Sequence, residues 1–521
     1  MWPFKINSFN LKKIFLSSGL RKLLVYNQFQ NATENIECIP TYEDIPGPKA
    51  LPIVGNVFRY LPFIGEFANV PIMTQLKMLR EKYGDIVRLG GIPNRRPTVF
   101  LFNPELCEKI YRLEGIWPQR IALESLQYYR ENRRDIYAEE YGLSTSQGKK
   151  WQDFRSRVNP HMMQPRAVKP HIKQISEVTD ELIGRIIELR DSNTLELPAN
   201  FNNEVNKWAL ESICSIALNH RLGCLKTDLP EDSEPQMMIN CVHNMFELMY
   251  RLEICPSMWK LYETPDLKKL FKVLDRLNGI AMKHVEHAKR TPTDKTEGNV
   301  EERSVLERLL RVDEQTARVM SLDMLTAGVD TTGNASAALL YYLATNPEKQ
   351  DKLREEAYMV LPDKDSSVVP ETLDRIPYTK ACIKESLRLF PISIGTMRTM
   401  QTEVTLAGYS IPKGCDVVAC HALMSRDANQ FPDPDSFIPE RWLRTKRNSW
   451  PANDSHPFAY MPFGFGARTC VGRRFAEMEM EVLALKITRN FRIEWHKEPL
   501  DYQSRLINIV SSPLQLKIID L

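Results

Sequence analysis

The spacing of apolar residues along the chain predicts a mainly helical protein. From about residue 145 to 345, apolar side chains recur every three or four positions, as they do on one face of an α-helix. Within 170–190 the repeat consists of Ile172, Ile175, Val178, Leu182, Ile186 and Leu189. This spacing predicts an amphipathic helix over that range, with its apolar face turned towards a core.

A later segment, roughly 302–346, has a different pattern. Downstream of Met320 it is apolar on nearly all sides and it ends at Asn346-Pro347, so we expect one long buried helix. Its middle nevertheless contains AGVDTTG, residues 327–333, which is rich in weak helix formers. A polar, glycine-containing centre in a buried helix conflicts with the local pattern, and such conflicts tend to mark functional sites.

Short apolar runs predict a few strands. TVFLF at 98–102 predicts one strand, and VTLAGYSIPKGCDVVA at 404–419 predicts two strands separated by turns. In the last twenty residues, Ser511-Ser512-Pro513 separates two apolar runs, which predicts a hairpin. The predicted fold class is therefore mainly α with small β-sheets, in a single domain over 36–521.

The first 35 residues form a separate basic segment. Their basic residues are Lys5, Lys12, Lys13, Arg21 and Lys22, and the first acidic residue is Glu34. Apolar runs are far shorter than the ~18–20 residues of a membrane span or the ~7–15 of a secretory signal. This composition is typical of a mitochondrial transit peptide, which we predict over 1–35. The alternative is a basic surface helix or a frayed tail.

Composition excludes several classes of protein. The 521 residues are 43% hydrophobic and 26% charged, as in ordinary globular proteins. Without the five basic residues of the leader, acidic residues slightly outnumber basic ones, which does not suit a nucleic-acid-binding protein. Ten cysteines are scattered without a CxxC pair, which argues against a zinc cluster or a disulfide scaffold.

One cysteine has an unusual setting. Cys470 lies in FGFGARTCVG, residues 463–472, directly before a segment with helical periodicity. The glycines let backbone approach a flat partner closely, and a helix N-terminus favours a thiolate over a thiol. Arg468 supplies a donor fork that suits a carboxylate. These features together indicate haem iron held by a cysteinate; a buried structural cysteine is the alternative.

The ten residues fit the pattern F-x-x-G-x-R-x-C-x-G, and the chain from residue 45 onward resembles the cytochrome P-450 haem-thiolate monooxygenases. The resemblance implies the cytochrome P-450 fold, with haem b between the long central helix and the helix that follows Cys470. Phe463, Arg468 and Cys470 would then contact the cofactor, and Cys470 would be its metal ligand.

Two further motifs extend the resemblance. In AGVDTT, Asp330 and Thr331 match the acid and the threonine that relay protons to dioxygen in the family. The alternatives are a threonine hydroxyl bonded to the preceding turn and an aspartate in a buried ion pair. Trp151 and Arg155 share one helix face, and the family uses such a pair on a haem propionate. Arg398 in GTMRT is a further propionate candidate.

The Glu385-x-x-Arg388 pair is expected to be structural. The family joins this pair to an arginine in the later meander, and Pro439-Glu440-Arg441-Trp442 supplies Arg441. We therefore expect a buried ion network that supports the core around the haem, with no catalytic role.

The expected partner is a [2Fe–2S] ferredoxin. Lys380, Lys384, Arg473 and Arg474 match basic residues with which the mitochondrial branch of the family docks this acidic protein, and charge complementarity accelerates such encounters. Solvated surface residues are the alternative. The resemblance also implies peripheral contact with the inner mitochondrial membrane on the matrix side, and nucleic acid is not an expected partner.

The substrate is the least determined feature of the sequence. The family's pocket segments carry apolar residues here, namely Trp117, Tyr128, Tyr129, Met245, Phe246, Met249, Leu325, Ile392, Ile394 and Val510. They suit a lipophilic substrate or, equally, core packing. IPGPKALPIVGN, EGIWPQR and VNPHMMQP resemble insect mitochondrial members that metabolise xenobiotics and insecticides.

The expected function is a monooxygenase reaction on a lipophilic small molecule with O₂, and with electrons from NADPH through ferredoxin reductase and ferredoxin. Hydroxylation of ecdysteroid-like sterols is the alternative substrate assignment. A haem-thiolate isomerase or dehydratase and a non-catalytic haem-binding protein are alternatives of other classes.

Overall fold

The computed structural model describes residues 39–92, 95–290, 303–443 and 454–521. The predicted transit peptide, 1–35, lies outside these residues. The described part of the chain is mostly helical. Its longer helices are α1 (Ile72–Tyr83), α2 (Pro104–Leu113), α3 (Gly148–Met162), α4 (Ile172–Leu189), α5 (Phe201–Leu218), α6 (Glu234–Glu253), α7 (Pro265–Arg290), α8 (Glu314–Thr345), α9 (Pro347–Val360), α10 (Pro377–Leu389) and α11 (Arg473–Asn490).

Shorter helical turns connect them. The α-helical turns are Glu124–Glu131, Arg134–Tyr137, Gly142–Thr145, Pro165–Val168, Val305–Leu310, Pro370–Leu373 and His421–Met424. The 3₁₀ turns are Tyr42–Asp44, Val57–Tyr60, Lys169–His171, Pro439–Trp442, Pro457–Ala459 and Gly466–Arg468.

The amphipathic helix predicted over 170–190 is confirmed as α4. The long helix predicted over 302–346 is divided. A short helix, Val305–Leu310, precedes α8, and α8 starts only after Asp313. The Asp313 side chain accepts a hydrogen bond from the backbone N–H of Thr316 at 2.6 Å, so it caps a new helix. The prediction of one continuous helix was wrong at this end.

The strands form small sheets around the helices. They are β1 (Ile86–Leu89), β2 (Thr98–Leu101), β3 (Thr396–Thr399), β4 (Val404–Leu406), β5 (Tyr409–Ile411), β6 (Asp416–Ala419), β7 (Phe491–Glu494), β8 (Tyr502–Ser504), β9 (Asn508–Val510) and β10 (Lys517–Asp520). The main sheet has the order β1-β2-β6-β3, with β2 and β6 parallel and the outer pairs antiparallel. The other pairs, β4–β5, β7–β10 and β8–β9, are antiparallel.

Two strand predictions need correction. Residues 404–419 hold three strands instead of two, because β4 and β5 pair with each other while β6 joins the main sheet. The predicted C-terminal hairpin is wrong: β9 pairs with β8, and β10 pairs with β7. The pairing of each run depends on a strand elsewhere in the chain, which local periodicity does not reveal.

Helix α8 organises the core. It packs against α5, α6, α10 and α11, and nearly all of its residues from Thr316 to Leu325 and from Thr332 to Leu340 are buried. Since α11 directly follows the Cys470 loop, this packing brings the loop and the centre of α8 into one region.

Candidate active site

The Cys470 loop is closed by hydrogen bonds to one carbonyl. The backbone N–H of Cys470 donates to the Phe463 carbonyl at 2.9 Å, and the Thr469 hydroxyl donates to the same oxygen at 3.2 Å. Gly464 and Gly466 both have φ of +72°, a conformation that favours glycine. Gly472, with φ of −84°, does not require it, and it serves as the N-cap of α11. The prediction of glycine backbone freedom thus holds at two of the three positions.

Cys470 keeps exposed surface, although the protein atoms close to its sulfur desolvate the thiol. Burial raises the pKa of its thiol, whereas hydrogen bonds from the backbone N–H groups of Gly472 and Arg473 and the charges of Arg155 and Arg120 lower it. The start of α11 therefore acts in the predicted direction, but burial outweighs it. A sulfur in these surroundings needs a further positive partner, such as a metal ion, to remain a thiolate.

The centre of α8 has an unfilled side. Ala327 is exposed there, and Thr326, Gly328 and Thr331 are half-buried, although the helix is buried on either side of them. An exposed alanine within a core helix indicates that a space lies against this face of the helix. This space and the exposed surface of Cys470 suit a flat ligand between α8 and the Cys470 loop.

The glycines of α8 have a packing role. A β-carbon at Gly328 would lie 2.8 Å from Ile213 Cγ1, and one at Gly333 would lie 2.1 Å from Asn206 Oδ1. Both contacts are with α5, so these glycines allow the two helices to approach closely. Close packing against α5 therefore explains why the centre of α8 contains glycines. Ala327 and Thr331 are the small residues of α8 that face the space.

Asp330 and Thr331 have different partners. The Thr331 hydroxyl donates to the Ala327 carbonyl at 2.6 Å, one turn back on α8. Asp330 is fully buried, and its Oδ1 lies 2.9 Å from Nε2 of His243 on α6. Both alternatives left open by the sequence are therefore realised, and the structure does not join the two predicted relay residues to each other.

Arginines converge beside the Cys470 loop. Arg155 donates to the Thr469 carbonyl at 2.9 Å and is mostly buried. Arg398 pairs with Glu114 and donates to the Phe465 carbonyl at 3.0 Å. Arg120, which the sequence analysis did not select, belongs to the same cluster because burial and the charges of Arg398 and Arg155 lower its pKa to about 10. Arg120 is the last residue of EGIWPQR, a segment that indicated the family branch without assigning this arginine a role.

Arg468 mainly joins segments of the protein to one another instead of leaving its donors for a cofactor. It donates to the carbonyls of Pro118, Leu143 and Ser146 at 2.9, 3.3 and 3.1 Å, and to Gln147 Oε1 at 2.7 Å. Most of its donors are therefore used within the protein. The sequence predicted a carboxylate partner for this residue, whereas the structure shows backbone carbonyls and a position over the Trp151 ring.

The charge of this cluster fits an anionic cofactor. Burial and the charges of Arg120, Arg398 and Arg155 lower the pKa of Arg468 to about 8. Among the described residues, Glu114 is the carboxylate that faces the cluster, and it pairs with Arg398. Buried positive charges without counterions are costly, so the site suits a ligand that brings two carboxylates. The two propionates of haem meet this requirement, with the iron next to Cys470.

The predicted ion network is confirmed. Glu385 accepts from Arg388 Nε at 3.0 Å and from Arg441 Nε at 3.0 Å, and all three side chains are buried. The Trp442 indole N–H also donates to Glu385 at 2.8 Å. Arg388 further binds the carbonyls of the meander, including that of Ser425 at 2.9 Å. The network ties α10 to the segment that leads into the Cys470 loop.

A cavity of about 920 Å³ lies between α1, the end of α6 and the β8–β9 hairpin. Of the ten predicted pocket residues only Ile394 lines it, and Tyr129, Met245, Met249, Leu325 and Val510 are buried in the core. The core-packing alternative therefore describes these five. Residues 393–395, at one side of the cavity, lead into β3, which carries Arg398. The lining also includes charged residues, among them Arg95, Arg96, Glu124, Glu253 and Lys260.

Comparison with known proteins gives a consistent result. A family model described as Cytochrome P450 matches residues 45–519. "Probable cytochrome P450 12a5, mitochondrial" of Drosophila melanogaster is 40% identical over 507 residues, covering 95% of this chain and 93% of the relative. "Cytochrome P450 CYP12A2" of Musca domestica is 41% identical over 88% of this chain and 87% of its own length. "Cytochrome P450 12b1, mitochondrial" of Drosophila acanthoptera is 36% identical over 98% of both chains.

Proposed function

This chain belongs to the cytochrome P450 family, and we propose on that basis that it oxygenates a lipophilic small molecule with electrons from NADPH by way of ferredoxin reductase and ferredoxin. Members of the family are monooxygenases that bind haem through a cysteine thiolate, so the enzyme class and the cofactor follow from membership. The finer assignments below are proposals, each supported by particular residues.

Cys470 is the proposed haem ligand. The backbone N–H groups of Gly472 and Arg473 stabilise negative charge on its sulfur, and the Phe463 carbonyl fixes the loop. The bound haem supplies the redox chemistry that activates O₂. The single observation that carries this proposal is the position of Cys470 at the start of α11, next to a cluster of arginines in which, among the described residues, Glu114 balances one charge.

The proposed propionate site consists of Trp151, Arg155, Arg398 and the newly recognised Arg120. Arg120 and Arg155 are the arginines of the cluster whose charges are not balanced by Glu114. Arg468 supports this site indirectly, because its hydrogen bonds join the Cys470 loop to residue 118 and to residues 143–147. Charge-assisted hydrogen bonds from these donors would orient the haem edge.

Asp330 and Thr331 are the proposed proton-handling residues. Thr331 faces the space beside Ala327, where its hydroxyl can exchange its bond to the helix carbonyl for one to the oxygen substrate. Asp330, which precedes Thr331 on α8, provides a buried carboxylate. General acid catalysis of this kind typically contributes 10²–10⁴-fold to a rate.

The proposed electron donor is a [2Fe–2S] ferredoxin. Burial and the charges of Arg473 and Lys380 lower the pKa of Lys384, so the three residues lie near one another on α10 and α11. Glu477 lies on the same surface and pairs with Arg473 at 2.9 Å, which reduces its net positive charge. Arg474 donates to the Met163 carbonyl, at the end of α3, and Lys380 likewise donates to the Leu373 carbonyl. These bonds do not separate the candidates, so all four basic residues are the proposed docking residues.

Mitochondrial placement is proposed from the leader and from relatives that are named mitochondrial. None of the helices in the described part of the chain has the length and apolar character that a bilayer crossing requires. Several apolar side chains are exposed, namely Ile53, Phe63, Ile64, Leu261 and Tyr262. Phe63 has φ of +70° and a fully exposed ring. These residues support the proposed peripheral contact with the matrix side of the inner membrane.

We propose xenobiotics, including insecticides, as the substrate class. The cavity volume is within the ~300–1,000 Å³ that drug-sized ligands occupy, and because its described lining includes neither Thr331 nor Cys470, we propose it only as a binding region outside the reaction site. Its mixed apolar and charged lining does not select one rigid skeleton. Hydroxylation of ecdysteroid-like sterols remains the second candidate, and it shares the same requirement for a large lipophilic pocket.

The experiment that tests the function begins with the reduced, carbon-monoxide-treated protein. Its absorption should show the red shift of sulfur-ligated haem, and Cys470→Ser should remove that shift. Turnover with NADPH, ferredoxin reductase and ferredoxin should then succeed where a microsomal flavoprotein reductase fails.

A protein that rearranges a peroxide without O₂ or NADPH would instead be an isomerase or dehydratase. Bound haem with neither reaction would indicate a non-catalytic carrier. A panel of xenobiotics and sterols scored by the iron spin-state shift would identify the substrate class.

A further inference from the structure

Asp330 has one contact that connects it to solvent. Its carboxylate is fully buried, and neither oxygen receives a well-aligned hydrogen bond from a described residue. Its Oδ1 nevertheless lies 2.9 Å from Nε2 of His243, and 41% of the His243 side-chain surface is accessible. The imidazole therefore stands between bulk water and a carboxylate that water does not reach directly.

The chemistry of the pair fixes which group donates. An ionised carboxylate can only accept hydrogen bonds, so Nε2 of His243 must carry a proton when the two groups face each other. Asn206 Nδ2 of α5 lies 3.3 Å from the same nitrogen, but a protonated Nε2 cannot accept a hydrogen bond, so Asn206 only packs beside the ring in this state. Burial lowers the pKa of His243, but the close approach and the charge of the Asp330 carboxylate outweigh burial, so the pKa is raised above its ordinary value of 6.5.

Other charges near the pair are already matched. Asp330 is the charged group that raises the pKa of His243. Other charged groups on the packed elements have partners of their own. They include Glu204 with Lys207 and Glu211 with Arg221 on α5, Glu234 with Lys283 and Glu247 with Arg505 on α6, and Asp323 of α8 with Arg130. The titration of His243 therefore depends mainly on the state of Asp330.

We propose that His243 delivers protons from solvent to Asp330 and holds its carboxylate in position during turnover. In each transfer the N–H bond of the imidazolium breaks, the Asp330 carboxylate gains the proton, and the imidazole takes up another proton from bulk solvent. Asp330 then gives its proton up to the oxygen reaction and returns to the carboxylate form. No electrons move in this step. His243 is a positioning residue that acts through Asp330, and the inference rests on the proposed role of Asp330.

The arrangement makes the reaction depend on pH in one direction. His243 can donate only while it is protonated, so proton delivery is strong below its raised pKa and declines as pH rises through that value. A structural ion pair would affect folding without giving the oxygen reaction this profile. The two roles therefore differ in a measurable way.

The first test uses the haem-loaded full chain with ferredoxin, ferredoxin reductase, NADPH and dissolved O₂, without an organic substrate. NADPH consumption is followed from pH 6 to 8.5 in H₂O and D₂O for the wild type and His243→Gln. The variant should lose at least about fivefold in rate at pH 6.5, show a flatter pH profile and have a larger solvent isotope effect. His496→Gln is the matched control, because its imidazole also lies 2.9 Å from a carboxylate, that of Glu494, but on the surface. Equal rates and pH profiles in His243→Gln and the wild type would overturn the inference.

The second test does not depend on turnover. Labelled histidine gives one NMR titration for each of the nine histidines, and the signal that disappears in His243→Gln identifies His243. Its pKa should exceed 6.5 and should fall in Asp330→Asn, because the negative charge that raises it is removed. An unchanged titration would refute the link between the two residues. If the wild type consumes no NADPH with ferredoxin, the proposed function fails, and the NMR result alone decides the His243 inference.

Discussion

Arg468 lies over the indole ring of Trp151, with its guanidinium carbon 4.0 Å from the ring centroid. The same guanidinium donates to the carbonyls of Pro118 and Ser146, and Ser146 lies two residues before α3 begins, so Arg468 joins the Cys470 loop to the start of that helix. Cation–π contact and several fixed donors together require the planar fork of arginine, which lysine lacks.

Arg468→Lys should therefore loosen the loop. We expect a loss of about 2 kcal/mol or more in the free energy of unfolding, because carbonyls buried by the native fork lose their donors. Haem content after purification should fall in parallel. Thermal unfolding and the haem absorbance measure both effects. Arg112→Lys is the control, since Arg112 is exposed and pairs only with Glu108, one turn away; equal losses in both variants would contradict the fastening role.

The Glu385 network predicts a larger effect. Glu385→Ala leaves Arg388 and Arg441 buried without a counterion, which typically costs about 3–5 kcal/mol. We expect little folded, haem-containing protein at 37 °C, as measured by soluble yield and haem absorbance. Glu43→Ala, which removes an exposed partner of Arg88, should change stability by less than about 1 kcal/mol. Normal yield of Glu385→Ala would show that the network is dispensable.

The parts of the structure that follow from local pattern were predictable. Helix α4 carries its own apolar repeat, and the loop around Cys470 has glycines, an arginine and a helix start within ten residues. The Glu385–Arg388 pair lies within one turn of α10. In each case the residues that determine the structure are neighbours in the chain.

The features that depend on distant segments were not predictable from one sequence. Strand β10 pairs with β7 because both cover the same part of the core, and no turn residue in the sequence indicates this pairing. Arg120 ends EGIWPQR, which indicated the family branch but no role for the arginine, and His243 lies in a segment without a motif; only folding brings them to the Cys470 loop and to Asp330. Five of the predicted pocket residues are buried in the core for the same reason, since an apolar residue on a helix can face the core or a cavity equally well.

Thr331→Ala should uncouple oxygen use from product formation. The Thr331 hydroxyl faces the space beside Ala327 and donates to the Ala327 carbonyl. When the hydroxyl is removed, that carbonyl keeps its backbone hydrogen bond within α8, so the helix is not disrupted. We expect the fraction of NADPH recovered as product to fall about tenfold while stability changes little. Thr345→Ala is the matched control, because its hydroxyl also bonds one turn back, to the Tyr341 carbonyl, but about 21 Å along the helix. Equal coupling in Thr331→Ala and the wild type would exclude the proposed role.

The ferredoxin surface predicts a salt-sensitive interaction. The double substitution Lys380→Gln and Lys384→Gln should raise the KM for ferredoxin about tenfold at low salt, and the difference should shrink as salt is added. Steady-state reduction at several ionic strengths measures this. Lys77→Gln with Lys82→Gln on α1 is the control, since both lysines are exposed and lie on a different helix. A change of similar size in the control would assign the effect to net charge alone.

Glu479 predicts how stability depends on pH. It lies on α11, nine residues after Cys470, and it is buried against Thr332 of α8. Burial raises its pKa from 4.5 to about 8, although its hydrogen bond with Thr332 acts in the opposite direction. The folded protein therefore keeps the Glu479 proton up to about pH 8, whereas the unfolded chain releases it near pH 4.5.

Between these values the folded state binds more protons, so this residue makes the protein less stable as pH rises from about 4.5 to about 8. The slope has an upper limit of about 1.4 kcal/mol per pH unit for one group. Glu479→Gln mimics the protonated acid and should gain stability relative to the wild type as pH increases through this window. Melting temperatures of both proteins at pH 5.5, 6.5 and 7.5 test this. A constant difference between the two proteins would mean that Glu479 titrates as an exposed carboxylate, which its burial between α8 and α11 opposes.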